Sequence, residues 1–183
     1  MLVKIKKDFK YKKIKNFLAK DELKVLQTYC DIKSRISIDN FEYETDWGQG
    51  FYGDPVMESI LINKKDFMIK ECGLELLPTY SFWRLYTKYQ NLPKHMDRHS
   101  CEISVTVCIS NDKTEWPIFV DGNPIDLNPG DACIYLGCES EHWREEFQGD
   151  HNIQLFLHYV DKNGPNAEFH MDKRIFWGTK FVL

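Results

Sequence analysis

Apolar side chains recur every three or four positions early in the chain, which is the period of a helix lying on a packed surface. This pattern predicts an amphipathic helix over residues 20–34, with these apolar positions: Leu23, Leu26, Tyr29, Cys30 and Ile32. A second helical stretch is predicted to begin at Asp54 and Pro55, since Asp caps free N–H groups and Pro suits the first helical turn. It should end near Gly73, with a break around Asn63. The glycine- and aromatic-rich segment 47–53 between the two is predicted as a loop and a candidate lid.

From Pro78 onward the pattern becomes strand-like, with Tyr80, Phe82, Arg84 and Tyr86 at alternate positions. Further β-rich runs, separated by turn sequences, follow at 101–109, 116–121, 132–136 and 151–160. The sequence therefore predicts a single α+β domain in which helices buttress an antiparallel sandwich or barrel. The predicted parts are a helical support over 1–76, a β core over 77–161 and a tail over 162–183.

Composition and charge narrow the function classes. The chain has 183 residues, of which 43% are hydrophobic and 28% charged, so one folded domain needs no disulfide or metal for stability. Residues 1–24 carry a net +6 while the whole chain carries −4, so the remainder is acidic and disfavours nucleic acid as a partner. No apolar run is long enough for a secretory signal or a membrane span. We expect a cytoplasmic protein whose six cysteines, with no C-x-x-C pair, are reduced.

The triplet His95-Met96-Asp97 carries the candidate chemistry. In an extended strand, His95 and Asp97 point to the same side, about 6.6 Å apart along the chain, and one metal ion can bridge them. A second histidine would complete a 2-His-1-carboxylate site, which leaves three positions open on Fe(II). The candidates for that histidine are His99, His142, His151 and His158. His99 is the awkward choice, because a single strand cannot curl around an ion.

Several ordered segments together resemble the Fe(II)- and 2-oxoglutarate-dependent oxygenases, in the branch similar to prolyl 4-hydroxylases. The segments are Leu77–Tyr80, Arg84–Tyr86, His95–Arg98, Cys101–Thr106, Pro129–Asp131, Tyr135–Gly137, His142–Glu145 and Gln154–Tyr159. The resemblance implies a distorted double-stranded β-helix, also described as a jelly-roll or cupin-like fold. It makes His95, Asp97 and His142 the iron ligands and Tyr86 a contact of the co-substrate. It also implies hydroxylation of a substrate C–H bond by O2, with release of succinate and CO2, and ascorbate as a candidate reductant.

One departure from the family pattern concerns the anchor of the distal carboxylate of 2-oxoglutarate. Relatives place a Lys or Arg about ten residues after the distal histidine, whereas this chain has Asp150-His151-Asn152-Ile153-Gln154 there. A planar guanidinium is the best substitute, because it binds a carboxylate through two parallel hydrogen bonds. Arg84 ranks first, since it shares the strand face of Tyr86, followed by Arg144, with Gln154 as a neutral donor. A buried ion pair between Arg84 and Glu102, or another carboxylate, is the competing interpretation.

Two other functions remain open at this point. Because the Lys or Arg that relatives place after the distal histidine is missing, one alternative is a metal-binding, cupin-like protein that does not use 2-oxoglutarate. A non-catalytic β-sandwich binding module is the second alternative. The substrate stays undefined: a prolyl peptide follows from the resemblance, and a small metabolite or another protein side chain fits equally, because loops set substrate choice in this fold.

Overall fold

Two antiparallel sheets face each other in the computed structural model, which describes Phe9 and residues 11–36, 43–45 and 48–179. Seven strands form the larger sheet in the order β1-β9-β6-β11-β4-β3-β2, and four form the smaller sheet in the order β5-β10-β7-β8. The strands are β1 (Tyr11–Ile14), β2 (Tyr43–Thr45), β3 (Gly48–Tyr52), β4 (Leu76–Tyr86), β5 (Leu92–His95), β6 (Ile103–Asn111), β7 (Ile118–Val120), β8 (Asn123–Ile125), β9 (Ala132–Tyr135), β10 (His142–Arg144) and β11 (Asn152–Asp161). This arrangement is a jelly roll, and the predicted α+β class is confirmed.

Three α-helices precede the main strands: α1 (Lys20–Ile36), α2 (Pro55–Asn63) and α3 (Lys65–Cys72). The Asp54 side chain accepts hydrogen bonds from the backbone N–H groups of Val56 and Met57, at 3.0 and 3.4 Å, so it caps α2 as predicted. Gly73 ends α3 in the left-handed conformation, at φ 68°, which glycine adopts without a Cβ clash. The predicted break lies between α2 and α3, at Lys64.

The interior strand β4, paired with β11 and β3, separates two interiors because its side chains alternate between the faces of the sheet. Trp83 points to one side, where its ring stacks on Phe51 at 4.0 Å between centroids and joins a buried cluster that includes Leu26 of α1 and Met57 of α2. The alternate positions of β4, from Tyr80 to Tyr86, point into the space between the two sheets. The helices therefore support the outer face of the large sheet and leave its inner face free for chemistry.

The prediction of a loop over residues 47–53 is wrong for the part that the structure describes. Residues Gly48–Tyr52 form β3, which pairs antiparallel with β4, and Gly50 lies opposite Arg84. A Cβ at Gly50 would lie 2.4 Å from the Cζ of Phe82, so the glycine there permits a close ring contact within a sheet. Trp47, which belonged to the predicted lid, lies outside the described residues. Residues 1–76 thus contribute three strands to the large sheet in addition to the helices.

The segment after Asp161 packs on the body of the protein. It includes a 3₁₀ segment, Ala167–Lys173, and then Arg174, whose guanidinium is fully buried against the carboxylate of Glu58 in α2. Arg174 also donates to the carbonyl oxygen of Thr79 in β4 at 3.1 Å. The C-terminal segment therefore forms part of the same packed unit as α2 and β4.

Two expectations from composition concern the whole chain. All six cysteines are free, and all except Cys138 are buried; their reduced state stays a prediction. Among the described residues, no helix combines the length and the apolar character that crossing a membrane requires.

Candidate active site

Two side chains of the smaller sheet and one from the segment after β5 meet at one point. His95 ends β5 and His142 begins β10, and the two are direct partners in the antiparallel register. Asp97 follows two residues after His95, beyond the end of the strand. Its Oδ1 lies 3.5 Å from Nε2 of His95 and 3.5 Å from Nε2 of His142. One ligand atom of each residue lies within 4.8 Å of the other two, so the structure brings the three predicted metal ligands together.

Hydrogen bonds to backbone carbonyl groups orient both imidazole rings. Nδ1 of His95 lies 2.6 Å from the carbonyl oxygen of Pro93, and Nδ1 of His142 lies 3.0 Å from that of Ser140. In a neutral ring, Nδ1 therefore carries the proton and Nε2 presents its lone pair to Asp97. Two lone pairs and a carboxylate oxygen that face one point repel each other unless a cation lies among them. Atoms 3.5 Å apart can both lie about 2.1 Å from one ion, so these donors fit a metal.

The pKa shifts at this site favour positive charge beside the Asp97 carboxylate. Burial would raise the pKa of Asp97, but interactions with His142 and His95 outweigh it and hold that pKa well below its usual range. The pKa of His95 is raised, first by its interaction with the Asp97 carboxylate. The carboxylate is therefore ionised at neutral pH and attracts positive charge into the site.

The second oxygen of Asp97 has different partners. Oδ2 lies 2.8 Å from the hydroxyl of Ser104 on β6, and that hydroxyl lies 3.0 Å from Nδ1 of His158 on β11. Burial lowers the pKa of His158 to about 4, so this imidazole is neutral at pH 7. His158 was a candidate third ligand from the sequence. The structure places its Nδ1 against the Ser104 hydroxyl, in a group with Asp97 and Cys101 and outside the group formed by His95, Asp97 and His142.

The two other candidate histidines lie away from the triad. The His99 ring stacks on Phe169 at 6.1 Å between centroids. His151 lies just before β11, at the end of that strand away from His158, and its Nε2 is 3.2 Å from the hydroxyl of Ser110. Of the four histidines that the spacing left open, the geometry selects His142.

A cavity of about 120 Å³ opens directly onto the triad. Its walls also include Arg84 and Tyr86 of β4, the first-ranked anchor and the predicted co-substrate contact. Its lining residues are Tyr80, Phe82, Arg84, Tyr86, Leu92, His95, Asp97, Tyr135, His142, Phe156 and His158. Largely aromatic walls of this kind exclude water and strengthen polar interactions inside.

Arg84 and Tyr86 both carry polar atoms without a protein partner. Nε of Arg84 and the hydroxyl of Tyr86 are buried and make no hydrogen bond within the described structure. The Arg84 guanidinium lies over the rings of Phe82 and Tyr86, at 5.1 and 5.5 Å, and no described carboxylate pairs with it. The alternative ion pair with Glu102 is not formed, since Glu102 Oε2 accepts from the backbone N–H of Asp161 at 3.1 Å. A cation and a donor without partners thus face the same cavity as the triad.

Arg144 and Gln154, the other two candidates for the carboxylate anchor, are buried and do not line this cavity. Arg144 is 2% exposed and donates to the carbonyl of Trp116 at 2.6 Å and to Gln154 Oε1 at 3.1 Å. Burial lowers the pKa of its guanidinium. Gln154 donates to Asn152 at 2.6 Å. Neither residue lines the cavity at the triad, so the geometry favours Arg84 over both.

Sequence reasoning missed several cavity residues. Tyr80 and Phe82 share the alternation that selected Arg84 and Tyr86, so the signal for them was present in β4. Tyr135, whose ring lies 4.7 Å from that of His142, comes from β9, and its place in the cavity depends on the pairing of distant strands.

Comparison with solved structures identifies the fold. No family model and no curated protein matches the sequence. Among solved structures, the 2-oxoglutarate complex of a viral collagen prolyl hydroxylase from Paramecium bursaria Chlorella virus-1 is 14% identical, with a TM-score of 0.65, and the match covers 83% of this chain and 96% of that one. A prolyl-4-hydroxylase from Pseudomonas putida is 17% identical over 84% of this chain and 94% of that one, with a TM-score of 0.65. An α-ketoglutarate-dependent epimerase, SnoN from nogalamycin biosynthesis, is 10% identical over 82% and 77%, with a TM-score of 0.65.

These likenesses define the fold of the chain. It is the double-stranded β-helix found in Fe(II)- and 2-oxoglutarate-dependent oxygenases, so the resemblance noted in the sequence and the predicted fold class are confirmed at the level of the fold. The epimerase among these structures shows that the same fold carries more than one reaction.

Proposed function

We propose that this chain is an Fe(II)- and 2-oxoglutarate-dependent oxygenase that hydroxylates a C–H bond of its substrate. The main support for this proposal is a 2-His-1-carboxylate triad at a cavity that is also lined by Arg84, an arginine without a described carboxylate partner. The triad accounts for a metal, and the unpaired guanidinium accounts for an acidic co-substrate. A cupin-like metal protein would need only the first of these features.

His95, Asp97 and His142 would hold the metal through Nε2, Oδ1 and Nε2. Three protein ligands on one face leave three positions open toward the cavity, which suits a bidentate co-substrate and O2. When bound there, Fe(II) supplies the redox chemistry that converts 2-oxoglutarate and O2 to succinate and CO2 while the substrate is oxidised. The protein contributes ligand orientation through the carbonyl groups of Pro93 and Ser140.

Arg84 would bind the distal carboxylate of 2-oxoglutarate, and Tyr86 would donate its hydroxyl to the same carboxylate. Nε of Arg84 and the hydroxyl of Tyr86 have no partner among the described residues, so a carboxylate in the cavity would satisfy them together. Arg144 adds positive charge behind the cavity, because its own hydrogen bonds go only to neutral oxygens, one from Trp116 and one from Gln154. The aromatic rings of Phe82 and Phe156 would keep the reacting groups dry.

The substrate is proposed only by class. Two of the similar structures are prolyl hydroxylases, which supports a prolyl residue of a peptide as the first candidate. The epimerase on the same fold keeps a small metabolite as the second. A cytoplasmic location and the use of ascorbate as reductant stay predictions from the sequence.

Succinate production provides the test. Purified protein incubated with Fe(II), O2 and 2-oxoglutarate should release succinate, and prolyl peptides should increase the rate if they are substrates. His142→Ala should abolish release, because it removes one of three ligands, whereas His151→Ala, a histidine outside the site, should retain it. If the wild-type protein binds neither Fe(II) nor the inert analogue N-oxalylglycine, the proposed function is wrong.

A further inference from the structure

The two carboxylate oxygens of Asp97 have distinct surroundings. Oδ1 lies 3.5 Å from both imidazole Nε2 atoms and faces the cavity. Oδ2 lies 2.8 Å from the hydroxyl of Ser104, on the opposite side of the carboxylate. A carboxylate with one oxygen already hydrogen-bonded has only the other fully available for a metal.

The direction of the hydrogen bonds around Ser104 follows from what each group can donate. Two acceptors lie near the Ser104 hydroxyl, Asp97 Oδ2 at 2.8 Å and the carbonyl oxygen of Cys101 at 3.1 Å. The ionised carboxylate is the closer and stronger acceptor, so the hydroxyl donates its single proton to Asp97 Oδ2. The hydroxyl oxygen must then accept from Nδ1 of His158, 3.0 Å away, and the neutral His158 ring carries its proton on Nδ1. Ser104 and His158 are 0% and 5% exposed, so water does not compete with this chain of hydrogen bonds.

Gly137 makes this contact sterically feasible. A Cβ at Gly137 would lie 2.5 Å from Asp97 Oδ2 and 2.5 Å from the Ser104 hydroxyl oxygen, both closer than real Cβ contacts. The carbonyl of Gly137 also accepts the backbone N–H of Asp97 at 2.8 Å. A residue without a side chain therefore lets backbone, carboxylate and hydroxyl meet behind the site.

We propose that Ser104 and His158 are positioning residues that hold Oδ2 of Asp97 and so restrict the carboxylate to a metal contact through Oδ1 alone. This inference rests on the proposed function. If Oδ2 were released, the carboxylate could take a second position on the metal. That position is one of the three that 2-oxoglutarate and O2 need, so the loss of Ser104 should affect both metal binding and co-substrate binding.

Co(II) titration of the metal-free protein tests the first effect. Ser104→Ala should weaken Co(II) binding about 10- to 100-fold, the usual range for loss of a group that orients a metal ligand. The freed carboxylate must be reoriented when the ion binds, and a second contact in a strained four-membered chelate ring does not recover that cost. Ser81→Ala is the matched control, since it removes a buried serine hydroxyl that has no partner and does not touch the site. Both variants should show similar thermal unfolding without metal.

N-oxalylglycine binding at saturating Co(II) tests the second effect. Ser104→Ala should raise the dissociation constant of the analogue at least tenfold, and Ser81→Ala should leave it within threefold of wild type. A second pair addresses His158: the Asn amide in His158→Asn can reach the position of Nδ1 and should retain binding, whereas His158→Leu removes the donor and should lose most of it.

Each outcome bears on the proposal. Co(II) and analogue binding within threefold of wild type in Ser104→Ala would overturn the positioning role and leave the proposed function standing. Equal losses in Ser81→Ala and Ser104→Ala would also overturn it, because the effect would then be one of general packing. No Co(II) binding by the wild-type protein would overturn both the inference and the proposed function.

Discussion

Replacing Arg84 by Met isolates the role of its guanidinium in co-substrate binding. Met keeps much of the aliphatic side chain, which packs against the rings of Phe82 and Tyr86, and removes the charge and the donors. In the free protein the guanidinium makes no ion pair with a described carboxylate, so its loss should cost the fold little. The effect should therefore appear in binding of 2-oxoglutarate and not in stability.

The magnitude follows from the partly buried position of Arg84 in an aromatic cavity. Removing one partner of a hydrogen-bonded charge pair in such surroundings costs about 2–4 kcal/mol, less than the full range for buried pairs because Arg84 retains some solvent contact. That free energy corresponds to an increase of roughly 30- to 1,000-fold in the dissociation constant of 2-oxoglutarate. Binding of the metal, whose three ligands are unchanged, should stay within threefold.

Calorimetric titration of the Mn(II)-loaded protein with 2-oxoglutarate measures this effect. Arg98→Met is the matched control: Arg98 also lies near the triad, but its guanidinium is paired with Asp172 at 2.7 and 2.6 Å and should contribute little to the co-substrate. An Arg84→Met protein that binds 2-oxoglutarate within threefold of wild type would refute the assignment and transfer the role to Arg144.

Three further predictions concern single side chains. Tyr86→Phe should weaken 2-oxoglutarate binding about 5- to 30-fold by calorimetry. Its stability in urea unfolding should equal or exceed that of wild type, because the lost hydroxyl is buried without a described partner, and a clear loss of stability would contradict this. Arg174→Met should lower the free energy of unfolding by about 3–5 kcal/mol, since it leaves Glu58 buried and unpaired, and adding Glu58→Gln should recover part of the loss. A change below about 1 kcal/mol would show that Arg174 and Glu58 do not form a buried ion pair. The pKa of His158 is about 4 in the folded protein and about 6.5 when unfolded, so the unfolded state binds the proton first and stability falls as pH drops from 6.5 toward 4. Between pH 7 and pH 5, wild type should lose about 2 kcal/mol more than His158→Asn in urea unfolding, and equal losses would contradict the shift.

Local signals explain what could be predicted from the sequence. Asp54 and Gly73 mark helix ends through bonds to residues two to four positions away, so their sequence neighbourhood contains the information. The alternation in β4 placed Arg84 and Tyr86 on one face, and the structure has both in the cavity. His95 and Asp97 were paired by spacing alone.

The remaining features depend on contacts between distant segments. Ser104 comes to Asp97 through a bend after β5, and its partner His158 is 54 residues further along the chain, so no local pattern identifies either. Gly50 looked like a loop residue because glycine is common in turns, whereas its role is to make room for Phe82 on the adjacent strand. Spacing left four histidines open and the resemblance pointed to His142, but the physical reason for that choice is the register that pairs His142 with His95.

A crystal structure of the protein with Mn(II) and N-oxalylglycine tests the central claim most directly, because anomalous scattering locates the metal independently of activity. We expect one ion about 2.1 Å from Nε2 of His95, Oδ1 of Asp97 and Nε2 of His142. The distal carboxylate of the analogue should contact Arg84 and Tyr86. A metal bound elsewhere, or an analogue that leaves the Arg84 guanidinium without a partner, would show that the proposed site is wrong.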